Sequence, residues 1–190
     1  MLEVKALDLE GVLEIVPKRH GDARGYFCET WNAERFAQAG IDLTFVQDNH
    51  SYSAAAGVLR GLHYQLPPRA QDKLLRVVRG SVLDVAVDIR RASPTFGKWV
   101  ALEVSAQKGN QILVPKGFAH GFVTLVPDTE VLYKVTDTYS PEHDRSIRFD
   151  DPAIGIEWPA VAGGFQLSDK DRQAPLLATA EVFASVERVV

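Results

Sequence analysis

Residues 82–89, VLDVAVDI, repeat with a period of two: Leu83, Val85, Val87 and Ile89 take one face, and Asp84, Ala86 and Asp88 the other. Only an extended chain sorts side chains this way, because successive residues of a strand point to opposite faces. Comparable runs are VLEIV (12–16), WVALEV (99–104), QILV (111–114), FVTLV (122–126) and VLYKVT (131–136). Turn residues separate them at Arg79-Gly80-Ser81, Ser93-Pro94, Lys108-Gly109-Asn110, Pro127-Asp128 and Ser140-Pro141. Short strands at such even spacing, with few helices, predict an all-β sandwich, jelly roll or barrel. The clearest helix runs from Ala33 to Ala39, with Asn32 as its cap, Gly40 as its stop and Trp31 stapled onto Phe36. A weak helix is expected from Leu176 onward.

A chain of 190 residues suits one domain, residues 1–190, with a core that needs neither disulfide nor metal. The formal net charge of −4 supplies no global field for nucleic acid or an anionic membrane, so any phosphate site must be a local cluster of arginine and lysine. The single cysteine, Cys28, allows no intramolecular disulfide and suits a reducing cytoplasm; a small residue packed in a strand is its ordinary role. The opening MLEVKALDLEGV lacks the apolar core of a signal peptide, and no apolar stretch approaches the roughly 20 residues of a membrane span. A soluble, cytoplasmic protein is expected.

The stretch GVLRGLHYQ (57–65) reads as a buried strand, yet carries His63 where an aliphatic side chain would pack. Gly57 precedes His63 at the same interval that separates Gly109 from Pro115, and the second stretch continues as Lys116-Gly117-Phe118-Ala119-His120. These segments resemble the two motifs of the cupin superfamily, small double-sheet barrels that usually hold a metal. A metal cupin places a second histidine two residues after the first and a glutamate soon after; here Gln65 stands there, and 66–70 contain no acid. His63 and His120 alone fall short of the three or more ligands a zinc site usually needs, so no metal is expected.

By alternation Leu59, Gly61, His63 and Gln65 share a face, as do Val131, Tyr133 and Val135. If both faces line a barrel interior, an imidazole and a phenol flank one ligand. That pair suits removing a proton from one side of a carbon and returning one to the other. On pattern alone, a buried histidine or tyrosine is more often structural.

Ten blocks in order carry a more specific resemblance: GDARGYFCE (21–29), FVQDNHS (45–51), LRGLHYQ (59–65), KLLRVVRG (73–80), DVAVDIR (84–90), SPTFGKW (93–99), VPKGFAHGFVTL (114–125), LYKVTDTYSPE (132–142), GIEWP (155–159) and LSDKDRQAP (167–175). To about Leu177 the chain resembles the dTDP-4-dehydrorhamnose 3,5-epimerase family of the cupin superfamily. The resemblance implies a cupin-type double-stranded β-helix, or jelly-roll barrel, with a few short helices. It implies His63 as general base, Tyr133 as the acid on the opposite face, Lys73 as stabiliser of an enolate oxygen and Asp171 as the carboxylate that orients His63. It places Arg24, Glu29, Gln47, Asn49, Arg60, His120, Tyr139, Asp144 and Lys170 at substrate-binding positions, Tyr139 stacking on the thymine. Asp144 falls where the family often has glutamate, and strict alternation sets Arg60 on the face opposite His63 unless Gly61 permits a twist or bulge. His20, His50 and His143 are expected in solvated loops.

The implied activity inverts C3 and C5 of dTDP-4-dehydro-6-deoxy-D-glucose, giving dTDP-4-dehydro-L-rhamnose for cell-surface polysaccharide or an antibiotic sugar. No cofactor is expected, and no glycine-rich dinucleotide fingerprint appears. A homodimer is implied, with sheet edges shared between subunits. The alternatives are a mono-epimerase or ketoisomerase on the same nucleotide sugar, a metal-dependent cupin oxygenase, and a non-catalytic sugar-binding cupin.

Overall fold

The computed structural model describes residues 2–184. In chain order the elements are β1 (Glu3–Ala6), β2 (Leu13–Val16), β3 (Arg19–Asp22), β4 (Gly25–Cys28), α1 (Ala33–Gln38), β5 (Gln47–Ser53), β6 (Leu59–Gln65) and β7 (Lys73–Arg79). They continue as β8 (Ser81–Asp88), β9 (Trp99–Ser105), β10 (Gln111–Val114), β11 (Phe118–Thr124), β12 (Thr129–Val135), β13 (Asp144–Ser146) and α2 (Asp169–Arg172). Each alternating run of the sequence lies in a strand, the run at 122–126 beginning inside the longer β11. The all-β expectation holds.

Two antiparallel sheets form the body, in the orders β1-β2-β10-β7-β12-β5 and β13-β6-β11-β8-β9, while β3 and β4 make a separate hairpin. One apolar cluster joins β7, β10 and β12 to β8, β9 and β11 through Leu75, Ile112, Val131, Ala86, Val104 and Phe118, filling the space between the sheets. The other faces are covered too. Phe36 of α1 and Ile41 pack with Ile15, Leu74 and Leu113 of the six-stranded sheet. Ile147, Ile154, Leu177 and Phe183 pack with Leu62, Val85 and Val87 of the five-stranded sheet. Both faces of β8 are therefore buried, and Asp84 and Asp88 go inside as fully as the valines between them.

Helix α1 starts where the sequence predicts, with the Asn32 side chain accepting from the Arg35 N–H at 3.2 Å. The expected helix from Leu176 does not form. Thr179 and Ala180 donate to the Leu176 carbonyl in one turn, after which Phe183 bridges to Arg90 and its carbonyl accepts from Arg91 N–H at 2.8 Å. Pairing with the sheet outweighs a marginal helical propensity. The remainder of that expected helix, 185–190, lies outside the described residues.

Candidate active site

His63 on β6 belongs to the five-stranded sheet, and Lys73 on β7 and Tyr133 on β12 belong to the six-stranded sheet. All three line one cavity of about 380 Å³. A second opening of about 380 Å³ shares the same three residues and leads out past Asn49, Tyr139, Asp144 and Lys170. The sheets thus bring an imidazole, an amine and a phenol, far apart in sequence, to one junction.

The imidazole is held from outside the barrel. Asp171 Oδ1 lies 2.5 Å from His63 Nε2. Ser168 caps α2, accepting from Asp171 N–H at 3.2 Å and donating its hydroxyl to Asp171 Oδ2 at 2.7 Å. Burial pushes the Asp171 carboxyl up, but the hydrogen bonds from His63, Ser168 and the Gly61 N–H outweigh it and hold the group below the usual carboxylate range. The carboxylate stays charged, and its bond to Nε2 fixes the orientation of the ring.

Arg60 reaches the same cavity. On β11, His120 opposes His63 and Phe122 opposes Arg60, so β6 uses one more residue than its partner between those pairs. This bulge reverses the alternation and turns Arg60 to the His63 side. Glycine is obligatory there: Gly61 has φ +123°, and a Cβ on it would meet Gly121 Cα at 2.5 Å and His120 O at 2.7 Å.

Lys73 Nζ donates to the His63 carbonyl at 3.1 Å, and burial lowers its pKa to about 8. Burial likewise raises the Tyr133 hydroxyl, against the opposing charge of Arg60. The phenol therefore keeps its proton at neutral pH, as a group poised to donate does. His120 lies in the cavity wall with Nε2 at 3.0 and 2.9 Å from the two oxygens of Asp84. Burial raises the Asp84 carboxyl while His120 and Lys73 pull it down. Sequence reasoning passed over Asp84 and Ser168. Two acids on the small-residue face of VLDVAVDI were the available sign, since both faces of that strand are buried.

The second opening gathers Gln47, Asn49, Tyr139, Asp144 and Lys170. Gln47 donates to Asn49 Oδ1 at 2.8 Å and accepts from the Tyr139 N–H at 2.9 Å. Asp144, one methylene short of a glutamate, accepts from the Tyr139 hydroxyl at 3.1 Å and pairs with Lys170. Arg24 and Glu29 are not brought to either opening of this chain. Arg24 sits exposed at the turn of the β3–β4 hairpin, 2.5 Å from Asp22, and Glu29 pairs with Arg35 at 3.1 Å beside a separate groove. The hairpin forms its own small sheet and holds Arg24 away from the barrel mouth, and Glu29 follows it directly. The histidines outside the site are not all loop residues: His20 is exposed on β3, and His50 is exposed on β5 at 2.9 Å from Glu130. His143 lies in a turn, half-buried, 2.8 Å from the Ser140 hydroxyl.

Gln65 occupies the place of a second metal-binding histidine, and its amide is engaged with Arg69, Thr138 and Ser140. Among the described residues, no three histidine, cysteine, aspartate or glutamate side chains converge as a metal site, and no helix is long and apolar enough to cross a membrane.

Residues 6–179 match the family described as dTDP-4-dehydrorhamnose 3,5-epimerase. The dTDP-4-dehydrorhamnose 3,5-epimerase of Sinorhizobium fredii is 51% identical over 91% of this chain and 88% of its own. Among solved structures, the dTDP-6-deoxy-D-glucose-3,5-epimerase of Legionella pneumophila, in complex with dTDP-4-keto-L-rhamnose, superposes with TM-score 0.94 at 43% identity. That match covers 99% of this chain and all of the other. A 3'-monoepimerase from Streptomyces bikiniensis, solved with dTDP as a double mutant in which a histidine and a tyrosine are replaced, superposes with TM-score 0.86 at 36% identity. It covers 92% of this chain and 87% of its own. The two-sheet barrel is the cupin type.

Proposed function

Since the chain belongs to the dTDP-4-dehydrorhamnose 3,5-epimerase family, we propose that it inverts C3 and C5 of dTDP-4-dehydro-6-deoxy-D-glucose, yielding dTDP-4-dehydro-L-rhamnose. The observation that carries this reading is His63, backed by Asp171, on one sheet and Tyr133 on the other, with Lys73 at their junction. The C4 ketone acidifies the protons on both neighbouring carbons. His63 removes one, Lys73 balances the charge that develops on the ketone oxygen, and Tyr133 returns a proton from the opposite side. No step of this sequence calls for a metal or nicotinamide. The mutated histidine and tyrosine of the Streptomyces bikiniensis protein are separated by the same interval as His63 and Tyr133, which supports the pairing.

Arg60 and His120 suit the sugar side of the cleft, and Gln47, Asn49, Tyr139, Asp144 and Lys170 the nucleotide side. Arg24 and Glu29 take their part in a homodimer. The hairpin that bears Arg24, with Glu29 just beyond it, is a two-stranded sheet of its own and exposes Tyr26 and Phe27, a surface that suits reaching the cleft of a second copy. Light scattering tests this, and a monomeric mass overturns it. A cytoplasmic setting suits the lone Cys28.

The test of the activity is proton NMR of the substrate with enzyme in D₂O. Deuterium at both C3 and C5 is the expected result. Incorporation at one carbon makes this a mono-epimerase, as the Streptomyces bikiniensis protein is described. No incorporation overturns enolisation altogether, and stoichiometric metal in the purified protein would point to oxygenase chemistry instead.

A further inference from the structure

The segment 136–140 follows β12 and carries Tyr139 to the mouth of the cleft, but it belongs to no strand or helix. From Asp137 to Ser140, most of the backbone partners it does have are side chains. Gln65 Oε1 accepts from the Ser140 N–H at 2.7 Å, and Gln65 Nε2 donates to the Thr138 carbonyl at 3.2 Å and to the Arg69 carbonyl at 2.6 Å. Gln71 Nε2 donates to the Asp137 carbonyl at 2.8 Å. Gln47 completes the set by accepting from the Tyr139 N–H at 2.9 Å. Three amide side chains thus do for this loop what a neighbouring strand does elsewhere.

An amide carries a donor and an acceptor at fixed spacing, so one glutamine can engage an N–H and a C=O of the same loop. Gln65 is only 4% exposed, and burial strengthens bonds that water would otherwise contest. Tyr139, by contrast, is 57% exposed. Its ring has little packing of its own, so apart from its hydroxyl's bond to Asp144 its direction follows the backbone beneath. A ring held ready binds a flat partner more tightly than one that must be ordered on contact.

We infer that Gln65 and Gln71 are positioning residues for nucleobase recognition, acting through the loop that bears Tyr139. The inference rests on the nucleotide-sugar reading above. It also accounts for the residue at position 65, where a metal cupin has its second histidine: Gln65 anchors a binding loop there.

The test uses the full chain with dTDP as probe, by isothermal titration, together with steady-state kinetics on the dTDP-4-keto sugar. Gln65→Met is expected to raise the dTDP Kd and the substrate KM by about tenfold, as befits weakened base stacking, with the effect falling on KM rather than kcat. Gln71→Met should act in the same direction and more weakly. On a Tyr139→Ala background neither substitution should raise Kd further, because residues acting through one group are not additive. Unchanged Kd in both glutamine variants, or an equal increase with and without Tyr139, overturns the inference and leaves a structural role. If Gln65→Met does not fold, Gln71→Met carries the same comparison alone. A wild-type protein that fails to bind dTDP overturns the nucleotide-sugar reading itself, and this inference with it.

Discussion

Asp171 lies 108 positions beyond His63 in the chain, yet its Oδ1 sits 2.5 Å from the ring Nε2. Because hydrogen bonds hold that carboxyl below the usual range, it is charged at neutral pH and, on the proposed role, balances the charge that His63 gains on taking a proton. Asp171→Asn keeps the shape and removes the charge. Its kcat should fall by about 100-fold, with near-native circular dichroism, when epimerisation is followed by NMR.

The same pair links stability to pH. The folded Asp171 carboxyl titrates below its ordinary value of 3.8, so its contribution is fully present above 3.8 and is lost as pH falls through the lower folded value. Acid unfolding followed by fluorescence should therefore show a shallower pH dependence in Asp171→Asn across that window.

Base and acid should separate by mutation. His63→Ala is expected to abolish deuterium uptake from D₂O. Tyr133→Phe should still enolise and exchange, while losing net inversion by about 10²–10⁴-fold. A Tyr133→Phe enzyme that inverts at the wild-type rate would assign the proton donor elsewhere.

Burial brings the Lys73 amine to about 8, so on the proposed role the rate should decline as pH rises through that value. The sign follows from charge: above 8 the amine is neutral and no longer balances an enolate. A pH–rate profile should show this alkaline limb, and the residual activity of Lys73→Met should lack it.

The bulge depends on its glycines. Gly61→Ala combines a positive φ with backbone atoms 2.5 and 2.7 Å from the new methyl group. It should destabilise the fold by about 3 kcal/mol, read by thermal unfolding, and displace Arg60 from the cavity.

Much of this architecture is legible in the chain. Period-two runs place the strands, and Asn32 and Gly40 bound α1, because these features are local. Arg60 shows where local rules stop: alternation sends it outward, and only the pairing of β6 with β11 reveals the extra residue that turns it in. Asp84 shows only as a member of the second face of VLDVAVDI until both faces of β8 prove covered. The loop anchors Gln65 and Gln71 carry no periodic signal, since their partners in the loop are backbone atoms 73 and 66 positions away. Arg24 and Glu29 lie away from the cleft in one chain, a placement no spacing in the sequence predicts.

The stretch from Ile147 to Phe183 both covers the outer face of the five-stranded sheet and delivers Asp171 to His63. During synthesis on the ribosome every strand of the barrel therefore emerges before Asp171. A chain stopped short of that point possesses a pocket wall, a phenol and an imidazole, but lacks the carboxylate that, on the proposed role, makes the imidazole a competent base. On that role, proton chemistry on a reactive keto sugar waits until α2 has been made and has docked.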